Sequence, residues 1–122
     1  MGPVALDASI AVAFLDPLDV HHERAVSALR ECDGSALSMS ASAYSETLVR
    51  PLADGHGAGV DEFVDGLGIE IVPVDRGIAR RAAELRAEHA DLRLPDATIA
   101  AAAELLGARL LTFDQRLAQL LP

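Results

Sequence analysis

Four short apolar runs divide the chain, and a segment with helical character follows each of them. The runs cover residues 4–6, 36–39, 69–74 and 109–112. Apolar runs of this length, bounded by polar residues or glycine, are typical of strands buried in a sheet. Because helical segments separate the runs, the pattern predicts βαβ units, a parallel sheet and right-handed crossovers. The expected fold class is therefore α/β.

Seven helices are predicted between and after the strands. They span residues 9–15, residues 21–31, a segment that carries Glu46, residues 60–67, a segment capped by Asp75, residues 94–106 and residues 115–120. Ser40 or Ser42 is expected to cap the third helix. Pro51 is expected to follow its end, because proline lacks the N–H that a helix interior uses. A Gly-rich loop is expected over residues 54–59. The sixth helix is apolar nearly all round, which indicates a place in the core or against a second subunit.

The length and composition favour a single domain over residues 1–122. Of the 122 residues, 51% are hydrophobic, which allows a core without a disulfide. Cys32 is the single cysteine, and packing is its ordinary role. No apolar run approaches the roughly 18 residues of a membrane span, and residues 1–7 lack the basic region of a signal peptide. We therefore expect a cytoplasmic protein that does not bind membranes.

The charge balance limits the partners to be expected. The formal net charge is −9, and all 10 basic residues are Arg. Non-specific affinity for nucleic acids comes mostly from neutralising phosphates. The chain is therefore not expected to bind nucleic acids in general, and a nucleic-acid substrate would need metal ions and local Arg residues to supply positive charge.

Four acids lie where the ends of the predicted strands would bring them together. Asp7 directly follows the first strand, and Asp114 comes soon after the fourth. Glu46 lies on the helix after the second strand, and Asp96 lies in the first turn of the sixth helix. Taken singly, the three Asp residues could stabilise helix N-termini, and Glu46 could pair with Arg50. Taken together, the four predict a shared site, because ligands of parallel α/β sheets bind at the carboxyl ends of the strands.

The residue types in this predicted site favour a hard divalent cation. Carboxylates that converge repel one another and raise one another's pKa unless a cation lies among them. A set of carboxylate oxygens suits Mg²⁺ or Mn²⁺, whereas zinc prefers His and Cys. The His residues lack the spacing of metal ligands and are interpreted as surface residues: His21, His22, His56 and His89.

The motifs around the acids resemble those of the PIN domain, and most of all those of VapC-type toxins of bacterial toxin–antitoxin pairs. The motifs are Val-Ala-Leu-Asp7-Ala-Ser9, Ser-Glu46-Thr-Leu, Leu-Pro-Asp96-Ala-Thr-Ile-Ala and Leu-Leu-Thr112-Phe-Asp114. They cover nearly the whole chain in order and spacing. The Asp96 and Asp114 motifs are the more specific ones, and the Glu46 motif is less specific.

The resemblance implies a PIN-like three-layer fold with a parallel sheet of four strands in the order 3-2-1-4, flanked by helices. A fifth strand is expected to be short or absent. The resemblance also implies a Mg²⁺-dependent endoribonuclease in which Mn²⁺ can substitute. It assigns catalysis and metal binding to Asp7, Glu46, Asp96 and Asp114, with Thr112 beside them. The implied partners are an RNA substrate, a cognate antitoxin and a second copy of the chain in a homodimer.

Residues close to the acids in sequence are candidates for contacts with RNA. They are Arg50, Arg93, Arg116 and Ser9. Arginine side chains commonly contact phosphate oxygens. The alternative for the three arginines is that they pair with the acids and serve the structure.

Other protein classes fit the sequence less well. A response-regulator receiver has a similar sheet but needs a Lys near its acidic pocket, and this chain contains none. A haloacid-dehalogenase-type phosphatase needs a second acid two residues after the first, where this chain has Ser9. A catalytically silent PIN scaffold that binds a protein partner is the remaining alternative, and the complete set of four acids argues against it.

Overall fold

Residues 2–121, the part of the chain that the computed structural model describes, form four strands with one or two helices after each. In chain order they are β1 (Val4–Leu6), α1 (Ala8–Leu15), α2 (His22–Glu31), β2 (Leu37–Ser40), α3 (Ala41–Ala53), α4 (Gly57–Gly66), β3 (Glu70–Val72), α5 (Arg76–Glu88), α6 (Leu94–Leu105), β4 (Arg109–Leu111) and α7 (Gln115–Gln119). The strands pair in parallel in the order β3-β2-β1-β4. The predicted α/β class and strand order are confirmed, and residues 2–121 add no fifth strand to the sheet.

The register of the sheet places the end of β1 at its centre. Val4 lies opposite Leu37 of β2 and Arg109 of β4, and Leu6 lies opposite Leu111. All three residues of β1 are buried, because neighbouring strands cover both of its edges and helices cover its faces. The next residue, Asp7, therefore emerges at the middle of the carboxyl edge of the sheet.

Helix α6 lies in the core, as its apolar sequence indicates. Every residue from 97 to 103 is buried, and five of these seven are Ala. Small side chains let α6 approach α5 and the sheet closely, so it can occupy the interior without voids. No helix among residues 2–121 combines the length and apolar character that crossing a bilayer requires.

Helix caps form largely where the sequence indicates. Ser40 Oγ accepts a hydrogen bond from Ala43 N at 3.1 Å and caps α3. Asp75 Oδ1 accepts from Ile78 N at 2.8 Å and caps α5. Asp114 Oδ1 accepts from Arg116 N at 3.0 Å and from Leu117 N at 3.3 Å, and so caps α7.

Two predicted boundaries are wrong. Helix α3 does not end before Pro51 but continues to Ala53. Pro51 lies in the last turn, where its missing N–H removes one hydrogen bond, and the chain continues helically because Asp54 N still donates to Arg50 O. The loop predicted over residues 54–59 is also shorter, since α4 begins at Gly57. A Cβ on Gly57 would lie 2.5 Å from Leu52 Cδ2, at the end of a largely exposed side chain.

Candidate functional site

The Asp7 carboxylate is nearly buried at the end of β1, with 6% of the residue exposed. Its Oδ2 accepts hydrogen bonds from Ser9 Oγ at 2.8 Å and from Thr112 Oγ1 at 2.7 Å. Asp7 occupies the N-cap position of α1, but its side chain makes no capping hydrogen bond. Helix capping therefore does not explain an acid at this position. A buried carboxylate is costly unless donors compensate it. Here two hydroxyl groups from separate segments provide the compensation.

The same hydroxyl groups fix the segment that carries Asp114. Thr112 Oγ1 accepts a hydrogen bond from Asp114 N at 3.0 Å, and Ser9 Oγ accepts one from Phe113 N at 3.1 Å. The two hydroxyl oxygens lie 3.4 Å apart. Ser9 and Thr112 therefore connect the start of α1 to the turn after β4, and they hold the backbone of Asp114 beside Asp7.

Asp96 lies in the first turn of α6, where an arginine neutralises it. Arg93 Nε donates to Asp96 Oδ2 at 3.2 Å, and Arg93 Nη2 donates to Asp96 Oδ1 at 3.4 Å. The Asp96 side chain is 17% exposed, whereas that of Arg93 is 68% exposed. The pair is therefore a fork-like contact whose acidic side faces the protein and whose basic side faces solvent.

Glu46, on α3, lies near enough to the other acids to respond to their charge. Desolvation is the largest cause that raises the pKa of its carboxyl above 4.5, followed by the charges of Asp96 and Asp7. Arg93 acts in the opposite direction. Since the residue as a whole is exposed, solvent moderates these interactions. Glu46 forms no ion pair with Arg50 among residues 2–121, so the pairing considered for these two residues is absent.

Arg93 interacts with several of the acids at once. Its pKa is raised first by the hydrogen bond to Asp96, then by the charges of Asp96 and Glu46, and least by that of Asp114. Arg93 responds to the charges of three acids, and Glu46 responds to those of Asp96 and Asp7, so the charges of the predicted site acids act on one another. Their convergence on one metal position stays a prediction, since no three acids in residues 2–121 form a metal-binding group.

The side-chain oxygens of the predicted site are of the kind that bind hard cations, but they do not surround a metal-binding position. All of them are carboxylate or hydroxyl oxygens, which suit Mg²⁺ or Mn²⁺. Within residues 2–121, no three Asp, Glu, His or Cys side chains approach one another closely enough to form a ready metal-binding group. Asp96 is instead turned toward Arg93, and Asp114 toward the N-terminus of α7.

A comparison with protein-family models identifies the family of the chain. The family model of the PIN domain matches residues 4–120. The chain belongs to the PIN domain family. Among curated proteins, none matches the sequence at a significant level.

Several solved structures share the fold of this PIN domain. VapC20 of Mycobacterium tuberculosis, described as a toxin that cleaves the sarcin–ricin loop, is similar with a TM-score of 0.82 and 17% identity, over 96% of this chain and 94% of that one. A toxin–antitoxin complex from Klebsiella pneumoniae gives 0.79 and 24%, over 98% and 92%. VapBC2 of Rickettsia felis, bound to a DNA fragment from its promoter, gives 0.73 and 18%, over 98% and 92%. At these identities the likeness is one of fold.

The residues predicted to contact RNA have separate environments. Arg93 is engaged with Asp96, and Arg116 Nη2 lies 3.0 Å from both the carbonyl oxygen and Oδ2 of Asp91. Ser9 is engaged with Asp7 and with the backbone of the turn after β4. Arg50 forms no ion pair among residues 2–121 and lines a groove of about 680 Å³ between α1, α3 and α4. The structural alternative, pairing with the four acids, thus describes Arg93. Arg116 pairs with Asp91, which is not one of the four, and Arg50 lies beside a different surface.

The sequence interpretation missed a stacked group next to the acids. The Arg24 guanidinium lies 4.6 Å from the centre of the Phe113 ring, and the His21 ring lies 5.3 Å from the same centre. Phe113 stands between Thr112 and Asp114 in sequence. An aromatic residue between two site residues is the signal that pointed there, whereas its contact with the first turn of α2 depends on the tertiary fold.

A second groove, of about 460 Å³, lies away from the acids. It is lined by the end of α6, the start of β4 and residues of the C-terminal segment, including Gly107, Arg109 and Leu121. Because strands run toward the acid centre, the start of β4 is at the opposite edge of the sheet. We assign the candidate site by its chemistry, and this groove has none of the four acids.

Proposed function

We propose that this PIN domain is a metal-dependent endoribonuclease that acts as the toxin of a toxin–antitoxin pair. The proposal is supported by the PIN-domain family match together with the mutual influence of the charges of four acids that follow its sheet, Asp7, Glu46, Asp96 and Asp114. Such a cluster weakens the metal-free protein, because its charges repel one another. A divalent cation bound among the acids would offset that repulsion.

The four acids would divide the work according to their positions. Asp7 and Asp96 would hold Mg²⁺, or Mn²⁺ in its place, with Asp114 as a direct or water-mediated ligand. Glu46 would bind a second ion or orient the attacking water. Thr112 would keep Asp7 in place by its hydrogen bond. A bound divalent ion supplies an activated water and polarises the scissile phosphate, and we expect 3′-hydroxyl and 5′-phosphate ends.

Arg93 would occupy the acid centre when no cation is bound. Its guanidinium offsets the charge of Asp96 and lowers the pKa of Glu46. Because the Arg93 side chain is 68% exposed, it can move into solvent at little cost. Binding of a cation would then require release of this ion pair and would close the open arrangement of the acids.

The partners of the proposed toxin follow from the solved structures that share its fold. The K. pneumoniae structure is a toxin–antitoxin complex, and the R. felis VapBC2 structure contains promoter DNA. We propose that this chain has a cognate antitoxin whose basic segment reaches the acidic site, which suits the net charge of −9. We also propose that it forms a homodimer and acts on RNA in the cytoplasm.

Cleavage of total cellular RNA tests the proposed activity. The purified, antitoxin-free protein would be incubated with Mg²⁺, with Mn²⁺ or with chelator, and new 5′ ends would be read by sequencing. Wild type should give discrete cuts that need metal. Asp96→Asn should lower the rate by at least about 100-fold, because it removes a charged ligand at the metal. Glu62→Gln is the control of equal charge change, since Glu62 is exposed on α4. Cleavage by Asp96→Asn at the wild-type rate would refute the assignment.

The catalytically silent scaffold remains the second candidate, and one observation favours it. No three acids in residues 2–121 form a ready metal-binding group. Titration with Mn²⁺, followed by electron paramagnetic resonance of the free ion, separates the two functions. A ribonuclease of this kind should bind Mn²⁺ in a manner that Asp96→Asn weakens. A protein that neither binds Mn²⁺ nor cuts RNA would be the scaffold.

A further inference from the structure

Arg24, Phe113 and His21 form a stacked group at the border of the acid centre, which we name the Arg24 stack. Phe113 is half-buried, and its backbone N–H is bonded to Ser9 Oγ at 3.1 Å. The backbone that carries the ring is therefore held by the same hydroxyl group that binds Asp7. The Arg24 guanidinium lies over this ring at 4.6 Å, and its Nη1 lies 3.3 Å from His21 Nδ1. Arg24 is exposed, so its remaining N–H groups face solvent.

Arg24 differs from two other arginines near the site in having no acidic partner in the described part of the chain. Arg93 is paired with Asp96 and Arg116 with Asp91, both within 3.2 Å. Arg24 forms no ion pair with any carboxylate in residues 2–121. A molecule with a net charge of −9 has many acids available for pairing. An arginine whose guanidinium lies over an aromatic ring and has no acidic partner among the described residues is positioned to receive an anion from outside.

We propose that the Arg24 stack binds a backbone phosphate of the RNA strand next to the acid centre. The inference rests on the proposed ribonuclease function, and it assigns a substrate contact to residues outside the four acids. A guanidinium presents its N–H groups as a planar fork that matches a phosphate group, and stacking on an aromatic ring fixes the plane of that fork. Less freedom is then lost when the phosphate binds.

The members of the stack have different roles in this proposal. Arg24 contacts the phosphate, and Phe113 is a positioning residue that orients the guanidinium. His21 restricts Arg24 from the other side when its Nδ1 accepts the hydrogen bond. The contact lies between the acids and the N-terminal end of α2, so the RNA strand would pass from the acid centre across the turn after β4 toward α2.

The test compares single-residue variants that keep the acids intact. Arg24→Gln removes the charge and the fork, Arg24→Lys keeps the charge without the planar fork, and Phe113→Leu keeps an apolar side chain without the ring. Arg30→Gln is the matched control, because Arg30 is an exposed arginine in the last turn of the same helix. Circular dichroism and thermal melts would establish that each variant is folded.

Two measurements are made on each variant. The first is the affinity for a short fluorescein-labelled single-stranded RNA of mixed sequence, in Mg²⁺ over a range of salt, with Asp96→Asn present in every protein to prevent cleavage. The second is single-turnover cleavage of total RNA by proteins with intact acids, which separates the half-saturating protein concentration from the maximal rate.

We expect Arg24→Gln to weaken RNA binding by about three- to tenfold, the loss of one charge-assisted contact. The slope of log affinity against log salt should fall in magnitude by about 0.7, the value for one phosphate on a single strand. The maximal cleavage rate should stay within about twofold of wild type, since ground-state binding alone is lost. Arg24→Lys should keep the wild-type slope but only part of the wild-type affinity. Phe113→Leu should weaken binding without changing the slope.

The failures are distinguishable. If wild type cuts RNA, and Arg24→Gln matches Arg30→Gln in affinity, slope and half-saturating concentration, the Arg24 stack is not a phosphate contact while the ribonuclease stands. If both variants weaken binding equally, the effect is one of net charge, and the inference is again wrong. If wild type neither binds nor cuts RNA with any metal, the proposed function fails and this inference fails with it.

Discussion

The acid site has two halves that are built in different ways. In the Asp7 half, which consists of Asp7, Ser9 and Thr112, a nearly buried carboxylate is held by two hydroxyl groups at 2.7 and 2.8 Å. In the Asp96 half, which consists of Asp96, Glu46 and Arg93, the acids repel each other and a mostly exposed arginine offsets part of that repulsion. The first half is complete without a cation. The second half depends on an exposed counter-charge, Arg93.

This difference separates a structural task from a binding task. The Asp7 half connects β1, α1 and the turn after β4, so the fold itself depends on its hydrogen bonds. The Asp96 half carries unfavourable charge that an arginine relieves in part, which is a common state of sites that await a ligand. Variants in the Asp7 half should therefore change stability most, and those in the Asp96 half should change the response to metal.

Thr112→Val should have the largest effect on the stability of the metal-free protein. The substitution keeps the shape but removes the donor to Asp7 and the acceptor of Asp114 N. Leaving these groups without partners should lower the free energy of unfolding by about 1–3 kcal/mol. Urea denaturation in chelator measures it.

Thr112→Ser is the control for that experiment, because it keeps the hydroxyl group and loses one methyl group. It should lie closer to wild type than Thr112→Val does. Equal stability of Thr112→Val and wild type would mean that the Asp7 half does not contribute to the fold as its hydrogen bonds indicate.

The fold could be predicted from the sequence because its main signals are local. Short apolar runs that end at polar residues identified the four strands, and Asp75 and Asp114 are caps whose bonds reach only two or three residues along the chain. The end of α3 could not be predicted in this way. The helix continues beyond Pro51 because proline removes a single N–H there and Asp54 N still donates to Arg50 O.

The candidate site could be predicted in part for the same reason. The residues that follow parallel strands share an edge, so Asp7 and Asp114 could be placed together without a structure. The partners of Arg116 and Arg24 could not be predicted. Arg116 meets Asp91 and Arg24 meets Phe113 across 25 and 89 positions of the chain, and such contacts depend on how helices dock. The bond between the Ser9 hydroxyl group and Asp7 was also not predicted, and the contact of Ser9 with RNA stays a prediction.

Arg93→Gln should change metal affinity more than stability. In the metal-free protein the ion pair is exposed on its basic side, and its loss should matter little. If Arg93 competes with a cation for Asp96, the variant should bind Mn²⁺ more tightly, by about two- to fivefold. Titration of wild type and variant with Mn²⁺ measures the ratio. Arg76→Gln on α5 is the control for the loss of one positive charge.

Weaker Mn²⁺ binding by Arg93→Gln would reverse this interpretation. It would show that Arg93 orients Asp96 for the metal instead of competing with it. The two halves of the site would then be equally fixed in advance.

Glu46→Gln should have the smallest effect, a rise in the thermal stability of the metal-free protein at neutral pH. The pKa of Glu46 is raised in the fold, first by desolvation and then by Asp96 and Asp7, so its ionised form is disfavoured by folding. For a group with a raised pKa, the favourable contribution is complete below the ordinary value of 4.5 and is lost as pH rises through the folded value. The variant should therefore exceed wild type by roughly 1–3 °C in Tm at pH 7, a small gain because the side chain is exposed. The gain should vanish below the ordinary pKa, where wild type is also uncharged.

The same melts in Mn²⁺ would complete the comparison of the two halves. A cation that binds among the acids should stabilise wild type more than Glu46→Gln, so the order of the two Tm values should reverse at saturating metal. Glu62→Gln should follow wild type under every condition, since Glu62 is an exposed residue of α4 that is not among the four acids. If Glu46→Gln melts below wild type without metal at pH 7, the repulsion assigned to the Asp96 half is not present, and the contrast with the Asp7 half is wrong.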